Sequence, residues 1–159
     1  MAGFSETPLM EITLRRYESP HSLSKRETLK KICLSLGLLQ PGDSRDIIVD
    51  ILFVLEKVKK DKLELTAVEI KDELLDIRKK HGLSLNGTAD SNIRRQLKRL
   101  RELFLVQKVK NKYRIFEFMA LEDIFNEKVK KIILDSVLLR NEDYFKYYKR
   151  YEKKNDKKK

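Results

Sequence analysis

The spacing of apolar residues in this chain changes close to Phe104. Before that point, one helix face carries four apolar residues at spacings of four, three and four: Ile93, Leu97, Leu100 and Phe104. After it the period shortens from 3.6 to 2, in 105–110 and again in 113–118, which predicts two strands. The two strands are expected to join across Asn111–Lys112, because asparagine tolerates the positive φ of a tight hairpin. The chain is therefore predicted to be mostly α with a small β-hairpin.

The same spacing predicts three helices upstream, and capping signals mark their starts. The predicted helices are 25–36, 45–60, 67–80 and a further one from Thr88 or Asp90 to about 103. Ser24 with Glu27 and Thr66 with Glu69 have capping-box spacing, and Asp43 or Ser44 is expected to cap the second helix. That second helix has the broadest apolar face and is predicted to be the most buried. The apolar face of the third is expected to include Val68.

Composition favours a polyanionic partner. The 159 residues carry a formal net charge of +11, and the sequence pI is about 9.6. The single cysteine, Cys33, lies on the apolar face of the first helix and is expected to be a buried, inert thiol. No signal peptide and no apolar run long enough to span a bilayer is evident, so a cytoplasmic protein is expected.

The positive charge is concentrated on the fourth helix. Opposite its apolar face lie Ser91, Arg95, Lys98 and Arg99, with Asn92, Arg94 and Arg101 at the edges. No acidic residue occurs from Ser91 to Arg101. A face of one sign repels itself, and a phosphate backbone would relieve that repulsion.

The predicted hairpin continues this basic stretch. Lys108, Lys110, Lys112 and Arg114 gather around its tip, and residues 91–114 contain nine Lys or Arg against one Glu. The third helix, by contrast, is mixed or acidic. Tyr113, Phe116 and Phe118 could be stacking platforms for single strands, although packing of the hairpin is favoured.

The predicted order of elements is that of a winged helix-turn-helix: two helices, a turn, a third helix and a hairpin. Further helices flank this unit on its N- and C-terminal sides. In that plan the helix at about 89–103 enters the major groove of double-stranded DNA, and the wing at about 105–118 touches the backbone or minor groove. Ser91, Asn92 and Arg95 are expected to read bases, and Thr88 to meet a phosphate. The predicted DNA-binding residues are Thr88, Ser91, Asn92, Arg94, Arg95, Lys98, Arg99, Lys110, Asn111 and Lys112.

The flanking segments are predicted from composition and spacing. Residues 1–23 read as an irregular arm in which 10–17 could form a short strand, and 24–119 as the DNA-binding domain. Residues 120–152 read as a helical extension, and 153–159 as a disordered basic tail. Within the extension, 120–139 carries an apolar stripe that either packs on its own domain or pairs two protomers. The stripe comprises Leu121, Ile124, Phe125, Val129, Ile132, Ser136 and Leu139.

Two stretches carry a resemblance to a known group of proteins. GLLQPGDSRDIIVDILFVL (37–55) and SNIRRQLKRLRELFLVQKVKNKYRIFEF (91–118) resemble small archaeal winged-helix transcriptional regulators, over roughly residues 25–130. The resemblance implies promoter binding and transcriptional control. The tail aromatics Tyr144, Phe145, Tyr148 and Tyr151 could pack on the domain, pair two protomers or contact another transcription protein, and the first two are favoured. The segment beyond about residue 140 has no motif to carry over.

Other classes of function remain open on the sequence. No nucleotide-binding or metalloprotease motif is present, His21 and His81 stand alone, and neither catalytic residues, a metal site nor a cofactor is predicted. An architectural DNA binder with little sequence preference would share the basic face, and a protein-interaction module could share the fold. RNA binding is a further alternative, because A-form RNA meets the same charges by shape.

Overall fold

The computed structural model describes residues 10–156, and side chains as far as Lys154. It divides into two compact units, one up to Met119 and one from Ala120 onward, which are described separately. None of the helices in the described range is long and apolar enough to cross a bilayer.

The first unit contains four helices and a hairpin. The helices are α1 (Lys25–Ser35), α2 (Ile47–Lys59), α3 (Ala67–Lys80) and α4 (Asp90–Glu102). The hairpin strands are β1 (Val106–Val109) and β2 (Lys112–Ile115), paired antiparallel. This confirms a mostly helical unit with one small antiparallel hairpin.

Helix α2 is the centre of the first unit, as its apolar face predicted. It contacts α1, α3, α4 and β2. Its buried apolar side chains are Ile47, Ile48, Val49, Ile51, Leu52, Val54 and Leu55. Burying each such side chain contributes roughly 1.5–3 kcal/mol, so this helix supplies much of the driving force for folding.

The two predicted capping boxes are present. At α3, the Thr66 N–H donates to Glu69 Oε2 at 2.7 Å, and the Glu69 N–H donates to Thr66 Oγ1 at 3.2 Å. Ser24 and Glu27 make the same pair of bonds at α1. The start predicted for α2 is wrong, because that helix begins at Ile47 with Asp46 as its N-cap. The prediction that Val68 lies on the apolar, buried face of α3 is also wrong, because 59% of this residue is exposed.

The hairpin is shorter than predicted and turns one residue earlier. Val109 pairs with Lys112, so the loop is Lys110–Asn111, and the positive φ of 56° belongs to Lys110. A 3₁₀ turn, Phe116–Phe118, replaces the end of the predicted second strand. Phe104 lies outside α4 with a φ of 61° and is half-buried, because the chain turns there towards β1.

A single β-bridge, which was not predicted from the sequence, joins the hairpin to the segment before α3. Leu65, between α2 and α3, pairs with Tyr113 through two backbone hydrogen bonds of 3.0 and 2.7 Å. This pairing fixes the hairpin to the start of α3. As a result, β2 pairs with β1 on one edge and with Leu65 on the other.

Residues 10–24, which precede α1, form no helix or strand. The strand predicted at 10–17 is wrong for this range, and the first nine residues of the predicted arm lie outside the described residues. The chain passes close to Gly37, where a Cβ would lie 1.9 Å from the carbonyl oxygen of Glu11. Gly37 also has a φ of +72°, so both its backbone and its surroundings favour glycine.

A buried cluster of charges holds three helices together. This ionic cluster consists of Arg26, Asp46, Asp50 and Arg78. Arg78 and Asp50 are 1% and 0% exposed, and their side chains are hydrogen-bonded to each other. Arg78 Nη1 also donates to Asp46 Oδ1 at 2.9 Å, and Arg26 Nε donates to Asp50 Oδ1 at 2.8 Å. Because buried charges need partners, the two arginines and two carboxylates depend on one another.

The second unit is helical throughout its described range. It runs through α5 (Leu121–Ile124), a π-helical stretch (Phe125–Asp135) and α6 (Ser136–Asp156). Residues 153–156, at the start of the predicted disordered tail, are the last residues of α6, and the final three residues lie outside the described range. Ile132 and Leu139 of the predicted stripe are 50% and 61% exposed, whereas Ile124 and Val129 are buried.

Candidate nucleic-acid interface

Helix α4 has a buried apolar side and an exposed basic side, as predicted. Ile93, Leu97 and Leu100 are at most 1% exposed. The exposed side carries Ser91, Arg94, Arg95, Lys98 and Arg101. The tertiary structure therefore leaves four cations of α4 facing solvent.

Acidic side chains at the two ends of this helix are paired with lysines. Asp90 Oδ1 lies 2.6 Å from Lys71 Nζ, and this hydrogen bond lowers the pKa of Asp90. Glu102 Oε1 lies 3.8 Å from Lys98 Nζ, an exposed pair that contributes little. Between these ends the exposed side of α4 has positive charge only.

Asn92, which was predicted to read bases, makes its side-chain hydrogen bonds within the protein. Its Nδ2 donates to the Gly87 carbonyl at 2.6 Å. Its Oδ1 accepts from Arg95 Nη2 at 2.7 Å and from Gln96 Nε2 at 3.1 Å. Both ends of this amide are thus occupied within the protein, and its clearest role is to hold the turn before α4.

Thr88 is also engaged in that turn. Its hydroxyl donates to the Leu85 carbonyl at 2.8 Å, and α4 begins only at Asp90 with Ala89 as the N-cap. A methyl group cannot accept a hydrogen bond, so Ala89 leaves backbone N–H groups at the start of α4 without the usual side-chain acceptor. The segment between α3 and α4 is also held by α3, because Arg78 Nε donates to the Ser84 carbonyl at 2.6 Å.

Arg99 and Arg95 belong to a cleft beside α4. Arg99 is half-buried and donates to the Gly37 carbonyl at 3.2 Å and to Gln96 Oε1 at 2.9 Å. A third arginine, Arg45, lines the same cleft of about 320 Å³. Arg45 was not among the predicted site residues, because it lies in the loop before α2, far along the chain from the basic stretch.

The hairpin tip presents Lys110, Asn111 and Lys112 to solvent, as predicted. Arg114, which was predicted to lie near the tip, instead makes contacts within the protein. Its Nη1 donates to Glu64 Oε1 at 2.7 Å, and its guanidinium lies 4.7 Å from the ring centre of Phe118. The exposed positive charge of the hairpin therefore comes from its lysines.

The aromatic residues of the hairpin and the turn after it are buried or half-buried. Tyr113 is 4% exposed, and Phe116 and Phe118 are half-buried. Base stacking needs an accessible ring face, which Tyr113 does not offer. Packing of the hairpin, the favoured interpretation, is confirmed for Tyr113.

Other reactive side chains form no second site in the part of the chain that is described. Cys33 is fully buried, and burial raises its pKa to about 12, so it is held as a thiol. His21 and His81 are exposed. Among residues 10–156, no group of three or more His, Cys, Asp or Glu is placed to hold a metal ion.

Comparison of the chain with family models, with curated proteins and with solved structures found no match.

Proposed function

We propose that residues 24–119 form a winged helix-turn-helix domain that binds double-stranded DNA. The single observation that carries this proposal is the exposed side of α4, with four cations and, between its ends, no acid. Helices α2, α3 and α4 followed by a hairpin have the order of that fold. In this arrangement α4 enters the major groove and the hairpin tip lies on the adjacent backbone.

Roles within the interface follow from which side chains remain available. Ser91, Arg94 and Arg95 lie on the exposed side of the first turns of α4, where a recognition helix reaches base edges. Arg95 can reach guanine once it leaves Asn92, and a bidentate pair is worth about 1–3 kcal/mol of discrimination. Lys98, Lys110 and Lys112 are exposed and suited to phosphates.

Phosphate contacts are also proposed for the cleft beside α4. Arg45 and Arg99 line it together with Arg95, and a phosphate there would meet positive charge from two elements. The open backbone N–H groups at the start of α4 would add to this attraction. Arg45 is thereby added to the proposed interface.

The biological role proposed is sequence-specific transcriptional regulation, in line with the resemblance to archaeal winged-helix regulators. Asn92 supports a second candidate, an architectural binder with little sequence preference. Its amide is occupied by Gly87, Arg95 and Gln96, so one of the three predicted base readers is already engaged. The two candidates differ in how strongly binding depends on sequence and on salt.

The test is selection of bound fragments from random-sequence duplex DNA at two salt concentrations. A regulator enriches one motif that survives the higher salt, whereas an architectural binder enriches none and loses affinity steeply. Arg95→Ala should relax preference at one position, and Lys112→Ala should weaken all sequences alike. Lys80→Ala, which removes an exposed charge from α3, is the matched control and should change neither. Absence of binding to any duplex would refute the proposal.

A further inference from the structure

The described part of the N-terminal arm, residues 10–23, starts beside α4 and ends at the start of α1. Met10 and Glu11 line a cleft together with Arg99 of α4. At this point the arm passes close to Gly37, where a Cβ would lie 1.9 Å from the Glu11 carbonyl oxygen. The arm therefore begins next to the helix that carries the proposed DNA interface.

Further along, the arm contacts α1. Glu18 Oε1 lies 2.7 Å from Lys31 Nζ, and this hydrogen bond lowers the pKa of Glu18. The Tyr17 hydroxyl donates to the Leu34 carbonyl at 3.5 Å. Contacts at Glu11 and at these two residues thus set the course of the segment between them.

Two adjacent arginines lie in that segment and face solvent. Leu14, Arg15 and Arg16 are all exposed, and Leu14 is 94% exposed, so the segment projects from the surface. Arg15 and Arg16 are the only charged residues between Glu11 and Glu18. Within the described part of the chain, neither arginine forms an ion pair or a hydrogen bond. Both guanidinium groups are available to an anion.

One side of α4 faces α3 and the hairpin. Arg94 borders a small pocket together with Ala67 and Val68 of α3. The hairpin lies on this side as well, because Leu65, which precedes α3, pairs with Tyr113 of β2. The hairpin is therefore reached from α4 by way of α3.

The arm lies on the opposite side of α4. Arg99 donates to the Gly37 carbonyl at 3.2 Å, at the place where the arm passes at Glu11. At about 100° per residue, Arg94 and Arg99 are about 140° apart around the helix axis. Lys98 lies between them on the exposed side. A duplex on the exposed side of α4 would thus have the hairpin on one side and the arm on the other.

From this placement we propose that Arg15 and Arg16 bind the phosphate backbone of DNA, on the side of α4 away from the hairpin. The inference rests on the proposed function and extends the DNA-binding surface beyond residues 24–119. Arg15 is four residues from Glu11, so its Cα lies within about 14 Å of the Glu11 Cα, and its side chain adds to that reach. Arginine suits phosphate because its planar guanidinium donates two parallel hydrogen bonds.

An acidic segment of another protein is a poorer occupant of this surface. Arg15 and Arg16 alone would give such a segment two exposed ion pairs, which contribute little by themselves. DNA that already lies on α4 would instead meet the arm as a second contact of the same complex, at a high effective concentration. The arm therefore adds affinity to DNA binding without adding sequence preference.

The salt dependence of DNA binding tests the inference. R15A/R16A should keep the selected motif and lower the slope of log K against log salt concentration by about 2, since each phosphate contact contributes about 1. Its loss of affinity should consequently be roughly tenfold larger at about 50 mM salt than at about 200 mM. K79A/K80A, which removes two exposed charges from the last turn of α3, is the matched control and should keep the wild-type slope.

Hydroxyl-radical footprinting tests the side on which the arm binds. The wild type should protect backbone positions on both sides of the motif; R15A/R16A should lose protection on one side and K110A/K112A on the other. A wild-type chain that binds no duplex would refute the proposed function itself. If the wild type binds and R15A/R16A keeps its slope and footprint, the proposed function stands and this inference is overturned. Loss of protection on the same side by both variants would overturn it equally.

Discussion

Replacing Arg78 by methionine should destabilise the first unit by about 3 kcal/mol. Arg78 is 1% exposed and donates to Asp46, Asp50 and the Ser84 carbonyl. Methionine keeps much of the apolar volume and removes all three bonds. The change therefore isolates the charge of the guanidinium from its packing.

The magnitude follows from what remains in the ionic cluster. Removing one member of a buried pair costs roughly 3–5 kcal/mol, because the other charge stays buried. Here Asp50 keeps two hydrogen bonds from Arg26, at 2.8 and 3.2 Å. Lys30 also lies 3.4 Å from Asp46 and is 39% exposed, so it offsets part of the excess negative charge. The lower end of the range is therefore expected, about 3 kcal/mol, a factor of more than 100 in the folding equilibrium.

Urea unfolding followed by circular dichroism measures this effect. Lys79→Met is the matched control, since Lys79 is exposed on the same helix, and it should cost less than about 0.5 kcal/mol. Arg78→Met with Asp50→Leu removes one charge of each sign and should recover at least about 1 kcal/mol. A single variant within about 1 kcal/mol of the wild type, or a double variant less stable than the single, would refute the reasoning.

Two further predictions concern pH and a backbone contact. Burial raises the pKa of Asp46, but hydrogen bonds from the two arginines of the ionic cluster outweigh it, so this pKa lies below its usual value near 3.8. Ionised Asp46 therefore stabilises the fold fully above its usual pKa, and this stabilisation is lost as the pH falls through the lowered pKa. Between about pH 5 and 2.5, the urea midpoint should fall less for Asp46→Asn than for the wild type. Gly37→Ala should cost about 1–3 kcal/mol, because it places a methyl group against Glu11 at a φ of +72°. Gly42→Ala has a similar φ with nothing within 4 Å, so a smaller loss of stability there is expected, and equal losses in urea unfolding would contradict the role of the Glu11 contact.

Local patterns predicted most of the helices and part of the site. A capping box acts within four residues and an apolar stripe within one helix, so Ser24, Thr66 and the buried side of α4 could be inferred from sequence alone. Lys98, Lys110 and Lys112 are exposed as predicted, because each lies on the outer side of its own helix or hairpin.

Residues that depend on distant partners could not be inferred in this way. Arg114 is separated from Glu64 by 50 positions, and the two meet only because Leu65 pairs with β2. Arg45 reaches the cleft beside α4 through the packing of α2. Asn92 has a side chain suited to reading bases, but its amide donates to the Gly87 carbonyl.

The sequence by itself determined the order of helices and hairpin and the side of α4 on which positive charge accumulates, because both depend on spacing within single elements. The ionic cluster was settled by tertiary structure, since Asp46 and Asp50 lie 32 and 28 positions from Arg78. A charge acquires its role from what surrounds it in space. Arg94 and Arg101 on α4 are exposed to solvent, whereas burial commits Arg78 to two carboxylates.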